Sequence, residues 1–205
     1  AQLYSLQTSS LSTAPAAQHA CPQGIDSYGA EAKDGYCLVP RLLRHHTPQQ
    51  NHGSQLHGQV LVTGGLGDLG LLVAGWLGQQ PGLQVHLTGR NVYGPAAPVA
   101  LLSPQGIMTA TMADNSVRVD IEHLVKEWSA TLTGIIHAGG VLRDAVLANQ
   151  TVAGLGAVVA PKVQGMAAIQ AATGALPLAK FTVFSSIAAM LGSSGQANYA
   201  AANAM

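Results

Sequence analysis

A glycine-rich turn at residues 63–70 limits the possible folds of this chain more than any other feature. It reads Thr63-Gly-Gly-Leu-Gly-Asp-Leu-Gly70, and its last six residues match the pattern G-x-G-x-x-G. The turn follows a short apolar run, Val60 to Val62, and opens a predicted helix at Asp68. Glycines in a strand–turn–helix unit let the backbone approach a pyrophosphate, and the helix N-terminus supplies free N–H groups. A glycine-rich turn without a nucleotide is the alternative.

Predicted strands and helices alternate downstream of residue 58. This alternation predicts parallel strands joined by helical crossovers, in a doubly wound Rossmann-type α/β sheet. Trp76 is predicted to lie in the core, and Val117 to share a buried helix face with Ile121 and Trp128. Prolines in segment 94–104 leave room for only a short helix in the second crossover. The predicted strands are 60–62, 84–88, 107–112, 134–138 and 180–184, and the predicted helices are 68–79, 117–129, 152–172 and one from about 197.

Composition and charge exclude several classes of protein. Apolar residues make up 48% of the chain, which is enough for a sizeable core, and nine basic residues balance nine acidic ones. We therefore predict no nucleic-acid partner and no anionic membrane surface. No uninterrupted apolar run reaches the ~20 residues of a membrane span, and no secretory signal pattern opens the chain. A cytoplasmic location, two free thiols at Cys21 and Cys37, and no metal site are expected.

The chain is predicted to contain two parts. Residues 1–58 have the composition of a linker and of the end of a preceding structural subdomain, with a short strand within 36–43. Residues 59–205 are predicted to form a cofactor-binding catalytic domain. This domain is expected to be incomplete at its C-terminus, because the chain stops at Met205 inside the helix that carries Tyr199.

Residues at the ends of the first four strands predict a dinucleotide site. In the turn itself the predicted contacts are Thr63, Gly65, Leu66, Gly67 and Gly70, and Asp68 is expected to face solvent.

Arg90 follows the second strand, where an NAD site carries an acidic residue. Its guanidinium can bond a 2′-phosphate, which favours NADPH; an ordinary surface arginine is the alternative. Asp114 is placed either to bond the adenine amino group or to cap a helix. Ala138 and Gly139 are expected to leave room for the nicotinamide ribose.

Four residues near the C-terminus predict carbonyl reduction. Hydride delivery to a ketone leaves an alkoxide, which a tyrosine can protonate, and a nearby lysine ammonium stabilises the phenolate that remains. Tyr199 and Asn203 are four residues apart on a predicted helix and share one face. Ser186 ends the fifth strand, where its hydroxyl can hold the carbonyl oxygen, and Ser185 competes for that role. Lys162 lies on the preceding helix.

Together these motifs resemble the ketoreductase domain of modular polyketide synthases and animal-type fatty acid synthases, within the short-chain dehydrogenase/reductases. Most of that superfamily carries Tyr-x-x-x-Lys. Here the fourth residue after Tyr199 is Asn203, and Lys162 precedes the tyrosine by 37 positions. This exchange of lysine and asparagine is typical of the synthase domains. The matching stretches are 60–70, 137–144, 161–162, 184–186 and 195–204.

The resemblance implies NADPH-dependent reduction of a β-ketoacyl thioester to the β-hydroxyacyl thioester. The implied partners are an acyl carrier protein, which presents the substrate on its phosphopantetheine arm, and neighbouring synthase domains. Tyr199 is implied as proton donor, Ser186 as carbonyl-positioning group, and Lys162 with Asn203 as the pair that orients Tyr199.

Two further positions bear on stereochemistry. Asp144 falls where B-type members carry the second aspartate of Leu-Asp-Asp, although Arg143 replaces the first. Leu191 replaces the A-type tryptophan, so a B-type, D-configured alcohol is expected. A reductase-inactive structural or epimerising domain, and a free-standing reductase of small ketones, are the alternatives.

Overall fold

The computed structural model describes residues 32–33, 36–37, 56–90 and 108–205. The chain divides into two compact units, Ala1–Gly53 and Ser54–Met205. In the first unit, Ala32–Lys33 pairs antiparallel with Tyr36–Cys37. The remainder of the strand predicted within 36–43, Cys21 and the proline-rich segment 94–104 lie outside the described residues.

The second unit contains one five-stranded parallel sheet. Its strands, numbered along this sheet, are β1 (Gly58–Thr63), β2 (Leu83–Gly89), β3 (Met108–Met112), β4 (Leu132–His137) and β5 (Lys180–Val183). Their spatial order is β3-β2-β1-β4-β5, and every neighbouring pair is parallel. The order reverses direction at β1, so the ends of β1 and β4 form a topological switch point. The predicted Rossmann-type sheet is confirmed.

Helices connect or follow the strands. They are α1 (Asp68–Leu77), α2 (Arg118–Trp128), α3 (Val152–Thr173), α4 (Ala188–Leu191) and α5 (Ala197–Ala204). Within α3 the residues Ala160–Gln164 form a π-helical turn between two α-helical parts. Neither the π-turn nor α4 was predicted. By length and hydropathy α3 meets the criteria for a membrane span, as core helices of soluble proteins also do.

Alternate residues of β1 face opposite sides of the sheet, as the two-residue period of a strand requires. Val60 and Val62 join a cluster with Ala74 and Leu77 of α1, on one face. Leu61 joins a cluster with α2 and α3 residues on the other face. The core therefore has two layers, and the buried β1 carries the glycine turn at its carboxyl end.

The prediction that Trp76 lies in the core is wrong, because 59% of its surface is exposed. The buried face of α1 consists of Gly70, Ala74 and Leu77. These positions repeat every three to four residues, and the two small ones bring the helix close to the sheet. The large side chains of Leu69, Leu72 and Trp76 lie off this face and are exposed. Val117 is also exposed, at 44%, because it precedes α2 as its N-cap residue.

Candidate active site

The glycine turn is packed so tightly that side chains are excluded at three positions. A Cβ at Gly64 would lie 2.6 Å from Gly139 Cα, one at Gly65 would lie 2.6 Å from the Val62 carbonyl, and one at Gly70 would lie 2.4 Å from the Gly64 carbonyl. Gly64 also has φ of +69°, a conformation that side chains disfavour. Gly67 is different, because a Cβ there would have its nearest neighbour among the described residues, the Gly64 carbonyl, at 3.5 Å.

The turn leaves hydrogen-bond donors open at the start of α1. Gly67 is the N-cap residue, and no side chain of the described residues caps this end of the helix. The first N–H groups of a helix have no partner within it, so they and the helix dipole favour an anion. Asp68 is exposed, as predicted. A backbone cradle with open donors fits the pyrophosphate of a dinucleotide, which these residues would hold.

Backbone hydrogen bonds draw strand ends together around this turn. Gly65 N–H donates to the Thr88 carbonyl at 2.9 Å, and Ala138 N–H donates to the Thr63 carbonyl at 2.9 Å. The Leu66 side chain packs over Gly89, next to the exposed Arg90. The predicted cofactor contacts Thr63, Leu66, Arg90 and Ala138 are therefore found at one edge of the sheet.

Asp114 follows β3 at the same edge. Its Oδ1 accepts hydrogen bonds from the Ser116 N–H at 2.9 Å and the Ser116 hydroxyl at 2.6 Å. Val117 occupies the N-cap position of the helix that follows, so the alternative of Asp114 as a plain N-cap is wrong. Asp114 instead closes the turn before the helix, and its Oδ2 makes no hydrogen bond to a described residue.

Gly139 makes room for a protein side chain. A Cβ at Gly139 would lie 2.4 Å from Asn115 Nδ2, so the amide of Asn115 occupies the space that the missing side chain leaves. A Cβ at the next residue, Gly140, would lie 3.3 Å from Lys162 Cε. Because the two glycines have no side chains, Asn115 and Lys162 can lie at the switch point of the sheet.

A buried polar pair lies beneath the glycine turn. Thr63 Oγ1 and His137 Nδ1 are 2.6 Å apart, and neither residue is exposed. Burial lowers the pKa of His137 to about 4, and the charge of Lys162 acts in the same direction against a smaller opposing effect of nearby backbone carbonyls. His137 Nε2 is buried without a hydrogen-bond partner among the described residues.

Lys162 is half-buried and held at both ends. Its Nζ donates to the Phe184 carbonyl at 2.7 Å, at the end of β5. Its backbone lies in the π-helical turn of α3. Burial lowers the pKa of the Lys162 ammonium. The lysine predicted from sequence therefore points to the strand end that carries the two candidate serines.

The two candidate serines have different hydrogen bonds. Ser185 Oγ donates to the Asn203 carbonyl at 2.9 Å, so its proton is already committed. Ser186 Oγ accepts from the Ala188 N–H at 3.1 Å, which leaves its own proton available to an external oxygen.

Tyr199 and Asn203 lie on α5, as predicted. Asn203 Nδ2 donates to the Tyr199 carbonyl at 2.8 Å, and Asn203 Oδ1 is buried without a partner among the described residues. Lys162, Ser185 and Asn203 line a cavity of about 380 Å³ between α3, β5 and α5. Ser186 and the half-buried Tyr199 do not line this cavity, although Tyr199 shares α5 with Asn203.

The two stereochemical positions lie on segments beside α5. Asp144 Oδ2 accepts from Gln196 Nε2 at 3.1 Å, and the Arg143 carbonyl accepts from Asn198 Nδ2 at 2.7 Å. These bonds tie the loop after β4 to the start of α5. Leu191 ends α4 and is 69% exposed.

Sequence reasoning missed three residues of this region. Gly64 carries the positive φ of the turn, and its signal was the double glycine at 64–65. No local sequence pattern points to His137 or Asn115, because each is identified only by a hydrogen-bond partner that is distant in sequence. Across the described residues, no three His, Cys, Asp or Glu side chains cluster in a way that could hold a metal ion.

Comparisons with known proteins identify the family of this chain. The family model for the KR domain matches residues 58–205. Polyketide synthase GfsA of Streptomyces halstedii is 40% identical over 157 residues, which are 72% of this chain and 2% of that protein. Polyketide synthase PksN of Bacillus subtilis is 34% identical over 154 residues, which are 72% of this chain and 3% of the relative.

Solved structures show the same likeness. An A1-type ketoreductase has a TM-score of 0.74 at 33% identity, covering 84% of this chain and 38% of its own. An N-terminal ketoreductase from the macrolactin assembly line has a TM-score of 0.67 at 34% identity. This match covers 72% of the present chain and 32% of the ketoreductase chain. The chain thus spans a small part of these polyketide synthases and about a third of the solved domains. On sequence and fold, the chain belongs to the KR family, the ketoreductase domains of polyketide synthases.

Proposed function

We propose that residues 59–205 carry the site of an NADPH-dependent reductase that converts a β-ketoacyl thioester to the β-hydroxyacyl thioester during polyketide or fatty acid chain building. The observation that carries the proposal is the placement of Lys162. Its ammonium is held 2.7 Å from the carbonyl of Phe184, and the lysine shares a cavity with Asn203 of the helix that carries Tyr199. This set lies on a nicotinamide-dependent Rossmann-type fold.

The cofactor would be held by the turn 63–70 at its pyrophosphate. Arg90 supports NADPH over NADH, because it supplies a cation at the end of β2 where NAD sites have a carboxylate. Asp114 retains one carboxylate oxygen without a partner among the described residues, and that oxygen can accept from the adenine amino group. When bound, the nicotinamide supplies a hydride to the carbonyl carbon of the substrate.

The protein's own groups then bind the carbonyl oxygen of the substrate and supply the proton that it takes up. The Ser186 hydroxyl can donate to the substrate carbonyl oxygen, since among the described residues its Oγ only accepts, from the Ala188 N–H. Tyr199 transfers its hydroxyl proton to that oxygen as the carbonyl is reduced. Burial lowers the pKa of Lys162, which makes its ammonium a better proton donor to the phenolate that Tyr199 becomes.

Asn203 acts on the geometry of the tyrosine helix. Its amide donates to the Tyr199 carbonyl at 2.8 Å and so orients the helix turn between the two residues. This contact supports the role of Asn203 beside Lys162 in placing Tyr199.

B-type stereochemistry is proposed on the two positions beside α5. Asp144 is anchored by Gln196, which sets the loop after β4 against the start of the tyrosine helix. Leu191 presents an aliphatic side chain where a tryptophan stands in A-type domains. Chiral analysis of the product should show the D-alcohol, and an L-alcohol would contradict this assignment.

The proposed partners are an acyl carrier protein, whose phosphopantetheine arm delivers the substrate, and the neighbouring domains of a synthase. The relatives that match this chain are themselves much longer polyketide synthases. A cytoplasmic location is proposed with them, and residues 1–58 are proposed as a linker with the end of a structural subdomain.

The direct test is NADPH oxidation with a β-ketoacyl thioester, compared between the wild-type chain and Tyr199→Phe. Turnover that falls by about 10²- to 10⁴-fold in the variant supports the reductase and its proton donor. The variant keeps the ring of Tyr199, so NADPH binding should stay unchanged in a parallel fluorescence titration. Equal turnover in both proteins would exclude Tyr199 as the donor.

A reductase-inactive structural or epimerising domain is the second candidate, and one observation favours it. Tyr199 and Ser186 do not line the cavity that contains Lys162 and Asn203. Titration with NADPH distinguishes a structural domain from a reductase, because a structural domain should not bind the cofactor. Measuring NADPH oxidation distinguishes an epimerising domain, which should bind NADPH without net oxidation.

A further inference from the structure

The π-helical turn of α3 leaves one backbone carbonyl without its usual partner. In an α-helix the N–H of Gly165 would donate to the carbonyl of Pro161, four residues earlier. Here the Gly165 N–H donates to the carbonyls of Ala160 and Lys162 instead. The Pro161 carbonyl lies directly before Lys162 and belongs to a buried residue. A buried carbonyl needs another donor.

Asn115 supplies that donor from a different part of the fold. Its Nδ2 donates to the Pro161 carbonyl at 3.1 Å, and only 8% of Asn115 is exposed. π-Turns inserted in α-helices are frequent at functional sites. The hydrogen bond therefore joins the loop after β3 to the turn that contains Lys162.

Two glycines accommodate the Asn115 amide. A Cβ at Gly139 would lie 2.4 Å from Asn115 Nδ2, and one at Gly165 would lie 2.9 Å from the same atom. The amide is thus wedged between the end of β4 and α3. Its loop is itself fixed, because Ser116 bonds the Asp114 carboxylate and the Asp114 N–H donates to Asp120 Oδ2 at 2.9 Å.

We propose that Asn115 is a positioning residue for Lys162: its amide holds the π-turn at Pro161 so that the lysine ammonium reaches the Phe184 carbonyl beside the candidate serines. Asn115 acts through the lysine and not on the substrate. The inference rests on the proposed reductase function for its kinetic effect, while the contact itself can be tested without turnover.

The experiment compares Asn115→Leu, which removes the donor at similar volume, with Gly165→Ala, which displaces the amide without changing it. Gly156→Ala is the matched control, because a Cβ at Gly156 of the same helix meets no atom of the described residues within 4 Å. Both test variants should lower kcat by at least about 10-fold, since small misplacements of catalytic groups reduce rates strongly. In both test variants the KM for NADPH should stay within about twofold of the wild-type value. The control variant should have the wild-type kcat and KM.

A second readout uses the NMR signal of the labelled Lys162 side chain, assigned by its loss in Lys162→Arg. We expect this signal and its titration midpoint to move in Asn115→Leu and Gly165→Ala but not in Gly156→Ala. Unchanged kcat and an unchanged Lys162 signal in both test variants would overturn the proposal. Loss of cooperative thermal unfolding in both would also overturn it, by showing a purely structural role. If the wild-type chain fails to reduce any thioester, the proposed function fails, but the Lys162 signal still decides whether Asn115 positions the lysine.

Discussion

The glycine turn and the Lys162–Tyr199 region meet at one edge of the sheet but are held by different forces. Around Gly64, Gly65 and Gly70 the backbone itself fills the space, and an added Cβ would lie 2.4 to 2.6 Å from other backbone atoms. Around Lys162 and Tyr199 the positions depend on side-chain hydrogen bonds, two between separate elements and one within α5. The first region is held by close backbone packing that leaves no room for side chains, and the second by polar contacts.

This difference predicts how each region responds to substitution. Overpacking a backbone contact destabilises the fold, because neither neighbour can move aside cheaply. Removing a polar side chain from the second region should instead change reactivity with little loss of stability. Substitutions in and around the two regions test this contrast, in decreasing order of expected effect.

Replacing Lys162 by methionine should lower turnover on the order of 10²- to 10³-fold, equivalent to about 3 to 4 kcal/mol of activation free energy. Stability should be unchanged or slightly higher, because a half-buried ammonium with a lowered pKa gives way to an apolar chain of similar length. Reductase kinetics and urea unfolding measure the two effects separately. Lys126→Met, at an exposed position of α2, is the matched control and should leave both quantities unchanged.

Gly70→Ala should cost about 3 kcal/mol of unfolding free energy, because the new Cβ would lie 2.4 Å from the Gly64 carbonyl and 2.5 Å from Gly65 Cα. Gly67→Ala makes the same chemical change in the same turn, but among the described residues its Cβ would meet only the Gly64 carbonyl, at 3.5 Å. The control should unfold at nearly the wild-type urea concentration. Equal stability of the two variants would contradict the claim that close backbone packing at Gly70 leaves no room for a side chain.

Acid should weaken the fold through His137. Its pKa is about 4 in the folded protein and 6.5 without the fold, so the unfolded chain binds more protons between these values. The contribution to stability is complete above pH 6.5 and is lost as the pH falls towards 4, by roughly 3 kcal/mol in total. Urea unfolding measured from pH 7 to pH 4 should show a shallower pH dependence for His137→Asn.

The control for this pH dependence is His123→Asn, because His123 is exposed on α2. This variant should follow the wild-type curve. If His137→Asn also follows it, the buried Thr63–His137 pair does not contribute to acid sensitivity.

The smallest effect is expected at the start of α3. Thr151 Oγ1 accepts from the Gly154 N–H at 3.0 Å and caps this helix. Thr151→Ala should cost about 1 kcal/mol of unfolding free energy, whereas Thr151→Ser keeps the hydroxyl and should recover most of it. Thermal unfolding of the three proteins measures the difference, and an unaffected Thr151→Ala would show that the cap is replaced by water.

Local patterns explain why so much of the fold was predictable. The short runs predicted as strands at 60–62 and 134–138 correspond to the buried strands β1 and β4, of which β4 ends at His137. The G-x-G-x-x-G turn lies between a strand and a helix as its pattern requires. The same reasoning failed at Trp76, because hydrophobicity does not say which of several apolar residues on a helix faces the sheet. Small residues at 70 and 74 decided that question through close packing.

The chain's order of residues determined the alternation of strands and helices, the glycine turn and the spacing of Tyr199 and Asn203 on one helix face, because these depend on neighbours within a few positions. Tertiary structure alone decided that Ser185 and Ser186 have different partners, that His137 bonds Thr63 and that Asn115 bonds Pro161. The last two bonds join residues 74 and 46 positions apart. Such contacts form only when separate strands and helices are brought together, so no local pattern carries them.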